Sequence, residues 1–222
     1  MASFAKRPFG YIPPNCPLDI LYEDDHYLIL NKPAELLSVP GKALSARDCL
    51  ESRAQAYNPD ARIIHRLDMA TSGVMVLALT PEAHRHIGLQ FERRYVSKTY
   101  TACVWGQVHG DSGHIDLPLI CDWPNRPLQK IDFERGKRAR TDWEVISRHS
   151  NHTHLRLHPI TGRSHQLRVH LLSQGYPILG DRLYAHEQAF TASKRLMLHA
   201  ESLSFRHPDG GAHMHYTTPS PF

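Results

Sequence analysis

Six apolar residues in a row, Val74-Met75-Val76-Leu77-Ala78-Leu79, constrain this chain more than any other segment. The run is short and rich in β-branched side chains, which suits a buried strand. Directly before it stands His65-Arg66-Leu67-Asp68-Met69-Ala70-Thr71-Ser72-Gly73. Asp68 is therefore an acid on a tight loop at a strand entrance, fixed to a scaffold that cannot easily move. Such loops are where chemistry tends to reside. The residues alone also admit a plainer use, because an Asp ahead of Thr-Ser-Gly ordinarily forms a turn with its side chain.

The remaining elements can be placed around this strand. Ile20 to Tyr22 and Tyr27 to Asn31 read as paired strands around the turn Glu23-Asp24-Asp25. A helix is expected from Ser45, its cap, to Tyr57, where Asn58-Pro59 stops it. Thr80-Pro81-Glu82 starts a second helix with a capping hydroxyl and an early proline, running to about Arg94. Lys98 to Val104, Thr141 to Ile146 and His154 to His158 read as strands. In the last of these, Leu155 and Leu157 share one face, and His154, Arg156 and His158 the other. Pro118 to Pro127 reads as a loop. Ser164 to Gln174 reads as a helix closed by Gly175 and Pro177. Leu196 to Phe205 and Met214 to Thr217 give late strands. Helices and strands do not alternate regularly, which argues against a doubly wound sheet. The fold class expected is α+β, with a large mixed or mostly antiparallel sheet flanked by helices and loops.

Residues 1–18, with Pro8, Pro13, Pro14 and Pro17, read as an extended arm. Residues 19–222 read as one domain. With 41% hydrophobic and 22% charged residues, the chain is an ordinary globule and not a disordered one. No apolar window is long enough to span a membrane, and no signal peptide opens the chain, so a cytoplasmic location is expected. Cys16, Cys49, Cys103 and Cys121 form no CxxC pair and read as reduced structural thiols. The net charge of +4 favours an anionic partner without naming one.

Two further blocks stand out. Lys98-Thr99-Tyr100-Thr101-Ala102-Cys103-Val104-Trp105-Gly106 is a strand carrying an aromatic residue. In Thr161-Gly162-Arg163-Ser164-His165-Gln166-Leu167-Arg168-Val169-His170, helical spacing turns Leu167 and Leu171 to the core. It places Ser164, His165, Arg168 and Leu172 on an adjacent stripe, where an anion could bind. His165 and His170 are poorly spaced for joint metal ligation, lying about 140° apart on a helix. The basic clusters Arg93-Arg94 with Lys98, and Arg135-Gly136-Lys137-Arg138 with Arg140, are by themselves solvated faces.

These three blocks together resemble the motifs of the RluA-type pseudouridine synthases. The matches are His-Arg-Leu-Asp-x-x-Thr-Ser-Gly, Lys-x-Tyr-x-Ala-x-Val-x-Gly and Thr-Gly-Arg-x-His-Gln-x-Arg-x-His. Asn31-Lys32-Pro33, Gly175 to Asp181 and Leu198-His199-Ala200 extend the likeness over roughly residues 19–218. Pro118 to Pro127 is similar to compact members without an N-terminal S4 domain. Ala185 departs from the glycine the family often has after the tyrosine.

The resemblance implies a pseudouridine synthase fold and isomerisation of uridine in RNA without cofactor or metal. It makes Asp68 the catalytic nucleophile or base, Arg168 its ion-pair partner, and Tyr100 the ring against the target base. The base must leave its stack to react, and Arg66 could fill the gap, since guanidinium planes stack on bases. Further RNA contacts are expected from His65, Arg163, His165, Arg93, Arg94, Lys98, Lys137 and Arg138. The implied partner is a ribosomal or transfer RNA stem-loop, met by a monomer with no obligate protein partner and no membrane. Two rivals remain at this point. One is a non-catalytic RNA-binding or RNA-folding module of the same fold, expected to lack Asp68, Tyr100 or Arg168. The other is a glycoside hydrolase, which would need a second acid such as Asp181.

Overall fold

The structure, a computed structural model, describes residues 10–222. The chain forms two compact units. The split unit joins Gly10–Lys98 to His199–Pro221, and the middle unit holds Thr99–Leu198 with Phe222.

In the split unit, β1 (Ile20–Glu23) pairs antiparallel with β2 (Tyr27–Lys32), and β2 pairs antiparallel with β4 (Ser72–Ala78). The short β3 (Arg62–Ile63) also pairs antiparallel with β4. β11 (Leu198–Arg206) lies parallel to β4 through Ser72 and Gly73, and β12 (His213–Thr217) runs antiparallel along β11. All seven residues of β4 are buried, as the apolar run demands. Each fully buried valine, leucine or methionine there contributes about 1.5–3 kcal/mol. Tyr27, Ile29, Val74, Val76, Leu203 and Phe205 build the core with Ile87 of α2 (Pro81–Glu92). Thr80 caps that helix by accepting the Ala83 N–H at 3.1 Å.

The middle unit is antiparallel. β5 (Ser97–Trp105), which enters it at Thr99, pairs with β10 (His152–Pro159). β10 pairs with β9 (Arg140–Arg148), and β9 with β6 (Ser112–Asp116). A separate ribbon joins β7 (Leu119–Cys121) to β8 (Gln129–Ile131). β10 alternates as expected: Leu155 and Leu157 are fully buried, while His154, Arg156 and His158 are only partly so. α3 spans Gln166–Ser173 and α4 spans Glu187–Thr191. The α+β class and the mostly antiparallel strands agree with the sequence reading; a parallel pair, β4 with β11, makes the pairing mixed.

Four expectations are corrected. α1 is Leu50–Tyr57, five residues shorter than expected, because Cys49 and Ser52 form the capping box and Leu44–Ala46 is a separate 3-10 turn. The Pro118–Pro127 segment is not wholly loop, since β7 lies within it. α3 begins at Gln166, because His165 adopts a left-handed conformation (φ 53°) that a helix cannot continue through. Ser164 and His165 therefore precede the helix and share no stripe with Arg168. β6, β8 and α4 were not expected from the sequence.

Residues 1–9 of the expected arm lie outside the described residues. Residues 10–18 carry no regular structure, and Pro14 and Cys16 offer carbonyls to Arg53 of α1 at 2.8 and 3.1 Å. Among the described residues no helix is long and apolar enough to cross a membrane. All four cysteines are free thiols.

Candidate active site

The loop carrying Asp68 connects β3 to β4 and is anchored on both sides of the acid. On one side, Ser38 Oγ donates to the Leu67 carbonyl at 2.7 Å and accepts the Leu67 N–H at 3.2 Å. On the other, Lys32 Nζ donates to the Met69 carbonyl at 3.0 Å, and to those of Pro33 and Leu36 at 2.8 and 2.7 Å. Lys32 is wholly buried, so its ammonium depends on these carbonyls in place of water. The turn is closed by Thr71 N–H donating to the backbone carbonyl of Asp68 at 3.0 Å. Asp68 itself is half-buried and its neighbour Arg66 is exposed.

The end of the motif is held by β11. His199 Nε2–H donates to the Thr218 carbonyl at 3.2 Å, which leaves Nδ1 to accept from Ser72 Oγ at 2.8 Å. Gly73 sits at φ +118°, and a Cβ there would collide with the Ala200 backbone. The Ser-Gly of the motif is thus a condition for the β4–β11 pairing.

His65 serves the scaffold. Its Nε2 accepts the Val76 N–H at 3.2 Å, and its ring stacks on Phe91 at 4.5 Å. Burial, with a smaller push from the Lys98 cation, drives its pKa down to about 3. The ring is thus neutral at ordinary pH, and its Nε2 is committed to the scaffold. Arg93 and Arg94 are exposed just after α2, and Arg94 takes a left-handed conformation (φ 63°). Lys98 is half-buried, and burial followed by repulsion from Arg94 lowers its pKa.

In the middle unit, Tyr100 is half-buried on β5 opposite Leu157. Arg168, on α3, is 5% exposed and forks onto Asp181, with Nε to Oδ2 at 2.8 Å and Nη2 to Oδ1 at 2.7 Å. Asp181 is 1% exposed and also accepts the backbone N–H groups of Leu183 and Tyr184 at 2.9 and 3.2 Å. A carboxylate so committed is unsuited to act as a second catalytic acid, which removes the main support for the hydrolase rival. The Arg168 guanidinium lies 5.0 Å from the Tyr184 ring centroid. The Tyr184 hydroxyl bonds His165 Nδ1 at 2.6 Å and accepts the Gln129 N–H at 2.9 Å. Arg168 is therefore immobilised edge and face.

Gln166 organises the turn before α3. Its Oε1 accepts from Thr161 Oγ1 and Arg163 N–H at 2.7 and 3.0 Å, and its Nε2 donates to the Arg140 carbonyl and Thr141 Oγ1 at 2.9 and 3.0 Å. Arg163 is exposed and donates from Nε to the Arg138 carbonyl at 3.2 Å; the Lys137 and Arg138 side chains are exposed nearby in sequence. His170 is buried, with Nε2–H donating to the Leu117 carbonyl and Nδ1 accepting from Thr141 Oγ1, both at 3.0 Å. Both ring nitrogens are used, so a metal shared with His165 has no basis. Among the described residues, one trio of potential metal ligands lies together elsewhere: His149, His152 and His154. Ala185 is buried beside Cys103, Leu179 and Ala189 and has no positive φ, so the departure from glycine strains nothing.

Lys32, Ser38, Gln166 and His199 were not among the expected site residues. Three of them lie within matched motifs and had a signal. Ser38 had none, since its role depends on a partner 29 residues away.

A sequence profile described as RNA pseudouridylate synthase matches residues 26–173, more than half the chain. The chain is 53% identical over 204 residues to the dual-specificity RNA pseudouridine synthase RluA of Yersinia pestis, covering 91% of this chain and 99% of that one. It is 51% identical over 215 residues to the protein of the same name from Escherichia coli K12, covering 96% and 98%. Among solved structures, human RNA pseudouridylate synthase domain containing 1 superposes with a TM-score of 0.78 at 28% identity, covering 95% of this chain and 87% of that one. Human RNA pseudouridylate synthase domain containing 4 gives 0.71 at 25% identity, covering 91% and 88%.

Proposed function

The chain belongs to the RNA pseudouridylate synthase family, and from that membership we propose that it isomerises uridine to pseudouridine at defined positions of structured RNA. It is an isomerase that needs no cofactor for the step. The N1–C1′ bond breaks, the uracil turns, and C5 bonds to C1′. The proton leaves C5, and N1 ends protonated. Nothing is oxidised and no group is lost.

The observation that carries this reading is the double anchoring of the Asp68 loop. Ser38 and Lys32 fix the residues on either side, so the carboxylate is delivered on a rigid turn and costs little reorganisation in reaction. Asp68 acts as nucleophile at C1′ or as base at C2′, and as an anion either way. By family resemblance Arg168 is its counter-cation, a role in which a guanidinium favours the ionised carboxylate. Tyr100 stacks on the base and assists loss of the C5 proton. Residues 19–222 act as one catalytic domain. Arg66 fills the gap left by the flipped base, and Arg93, Arg94, Lys98, Arg163, His165, Lys137 and Arg138 contact the RNA. The relatives named dual-specificity support two RNA classes, read here as ribosomal and transfer RNA stem-loops. The enzyme works as a monomer in the cytoplasm.

The test uses ribosomal and transfer RNA transcripts tritiated at uridine C5. Wild type is expected to release tritium at a few stem-loop positions, mapped by reverse-transcription stops. Asp68→Asn is expected to bind the RNA and release none. Turnover by that variant would sink the catalytic assignment. Tight, salt-sensitive binding without release by wild type would favour the non-catalytic module, and free uracil would favour hydrolysis.

A further inference from the structure

β9 and β10 meet in a tight turn closed by His149 N–H donating to the His152 carbonyl at 2.9 Å. Three imidazoles converge at this tip. His152 and His154 are two residues apart on β10 and so share a face, while Thr153 between them is buried on the other. His149 reaches them from across the turn. Its ring stacks on His152 with centroids 4.5 Å apart, and the His154 ring lies 5.1 and 5.3 Å from the two. One ring nitrogen of each histidine lies within 4.8 Å of the other two.

The surroundings prepare these nitrogens as ligands. Asn151 Oδ1 accepts from His152 Nδ1 at 2.9 Å, which fixes the tautomer presenting Nε2 as a lone pair. Ser147 Oγ bonds His149 Nε2 at 3.1 Å, which orients that ring from outside. A tetrahedral zinc ion with Zn–N bonds near 2.0–2.1 Å needs its ligand nitrogens about 3.3 Å apart. The trio must therefore contract by at most about 1.5 Å, which rotation of partly exposed side chains supplies. An all-imidazole set suits zinc, nickel or copper and not magnesium or calcium, which take oxygen ligands.

We infer that His149, His152 and His154 form a binding site for a divalent transition-metal ion, with Zn2+ as the biological occupant and a water molecule in the fourth position. The site lies apart from the reaction machinery. β10 separates it from the Thr161-Gly162-Arg163 turn by about 25 Å of strand, at 3.3 Å per residue. Tyr100 pairs toward the far end of β10 at Leu157, whereas His152 pairs with Trp105. The ion would clasp the β9–β10 hairpin and leave the isomerase chemistry untouched.

The experiment starts from protein stripped by a chelator and titrates Zn2+ against a chromophoric competitor near neutral pH. One equivalent is expected to bind with a dissociation constant on the order of micromolar or tighter. His152→Ala and His154→Gln are expected to weaken it by at least about tenfold. His109→Ala, in the same unit but outside the trio, leaves it unchanged. Cu2+ bound in its place should show superhyperfine coupling to three nitrogens, reduced to two in either variant. Equal Zn2+ binding by wild type and by the triple variant lacking all three imidazoles would overturn the assignment. So would a triple variant whose only defect is weaker RNA binding, which would make the trio a phosphate contact. Circular dichroism of each variant separates these results from loss of fold. Tritium release by metal-free protein is read separately and belongs to the catalytic proposal.

Discussion

At the scale of single residues, the buried Arg168 behaves as an anchor before it behaves as chemistry. Arg168 and Asp181 are matched edge to edge in the interior. Removing one partner strands the other, so Arg168→Ala is expected to cost about 3–5 kcal/mol in denaturant unfolding. The paired replacement Arg168→Met with Asp181→Leu should recover much of that stability without recovering tritium release, which separates holding the fold from serving the reaction. His65 makes a different demand. Its pKa falls from the ordinary histidine value to about 3 in the folded state. Between pH 6.5 and 3 the unfolded chain therefore binds a proton that the folded chain refuses, and stability is lost as the pH falls through that window. His170, lowered chiefly by burial, adds to the same acid limb. His65→Gln keeps an acceptor for the Val76 N–H without the titration. Its unfolding midpoint should depend less on pH below 6.5 than that of wild type, and an identical dependence would contradict the assignment.

At the scale of elements, the strand that follows Asp68 is also the strand on which most else depends. Gly73→Ala is expected to destabilise by roughly 3 kcal/mol or more, since it adds both left-handed strain and a clash with the Ala200 backbone. A thermal melt close to that of wild type would contradict this. β4, β10 and α2 were legible in the sequence because each is written in local patterns. They show as an apolar run, an alternation, and a Thr-Pro-Glu start. The start of α1 was misread because Ser45 is a better cap by type than Cys49, and the choice between them was made by Ser52. The stripe expected ahead of Arg168 failed because His165 takes a left-handed turn that no periodicity announces. The family resemblance pointed to Asp68, Tyr100 and Arg168, yet could not reveal what steadies the segments that carry them. Lys32 finds two of its carbonyls nearby, at Pro33 and Leu36, but it anchors the loop only through Met69, 37 residues on, and that meeting is not local. The cluster at the hairpin tip was missed for a related reason. His152-x-His154 is a strand pattern, while His149 joins it only across the turn.

At the scale of the whole molecule, the positive charge is modest, a net +4. Affinity for RNA must then rest on placed cations more than on a general field. Arg93, Lys137 and Arg66 are all exposed. If each of the first two neutralises one phosphate, Arg93→Ala and Lys137→Ala should each flatten the dependence of log affinity on log salt by roughly 0.7–0.9. Arg66→Ala should leave the thermal melt unchanged and lower the rate of modification, and a wild-type rate would remove it from the site. The order of the chain also imposes a schedule on its own birth. The loop bearing Asp68 is closed by Ser72 and Gly73 against His199 and Ala200, more than a hundred residues later. At ordinary rates of translation that interval is on the order of ten seconds. Throughout it the middle segment, Thr99–Leu198, can already begin to fold, while the loop lacks the strand that braces it. The Asp68 loop is therefore finished last, although its own residues are made early.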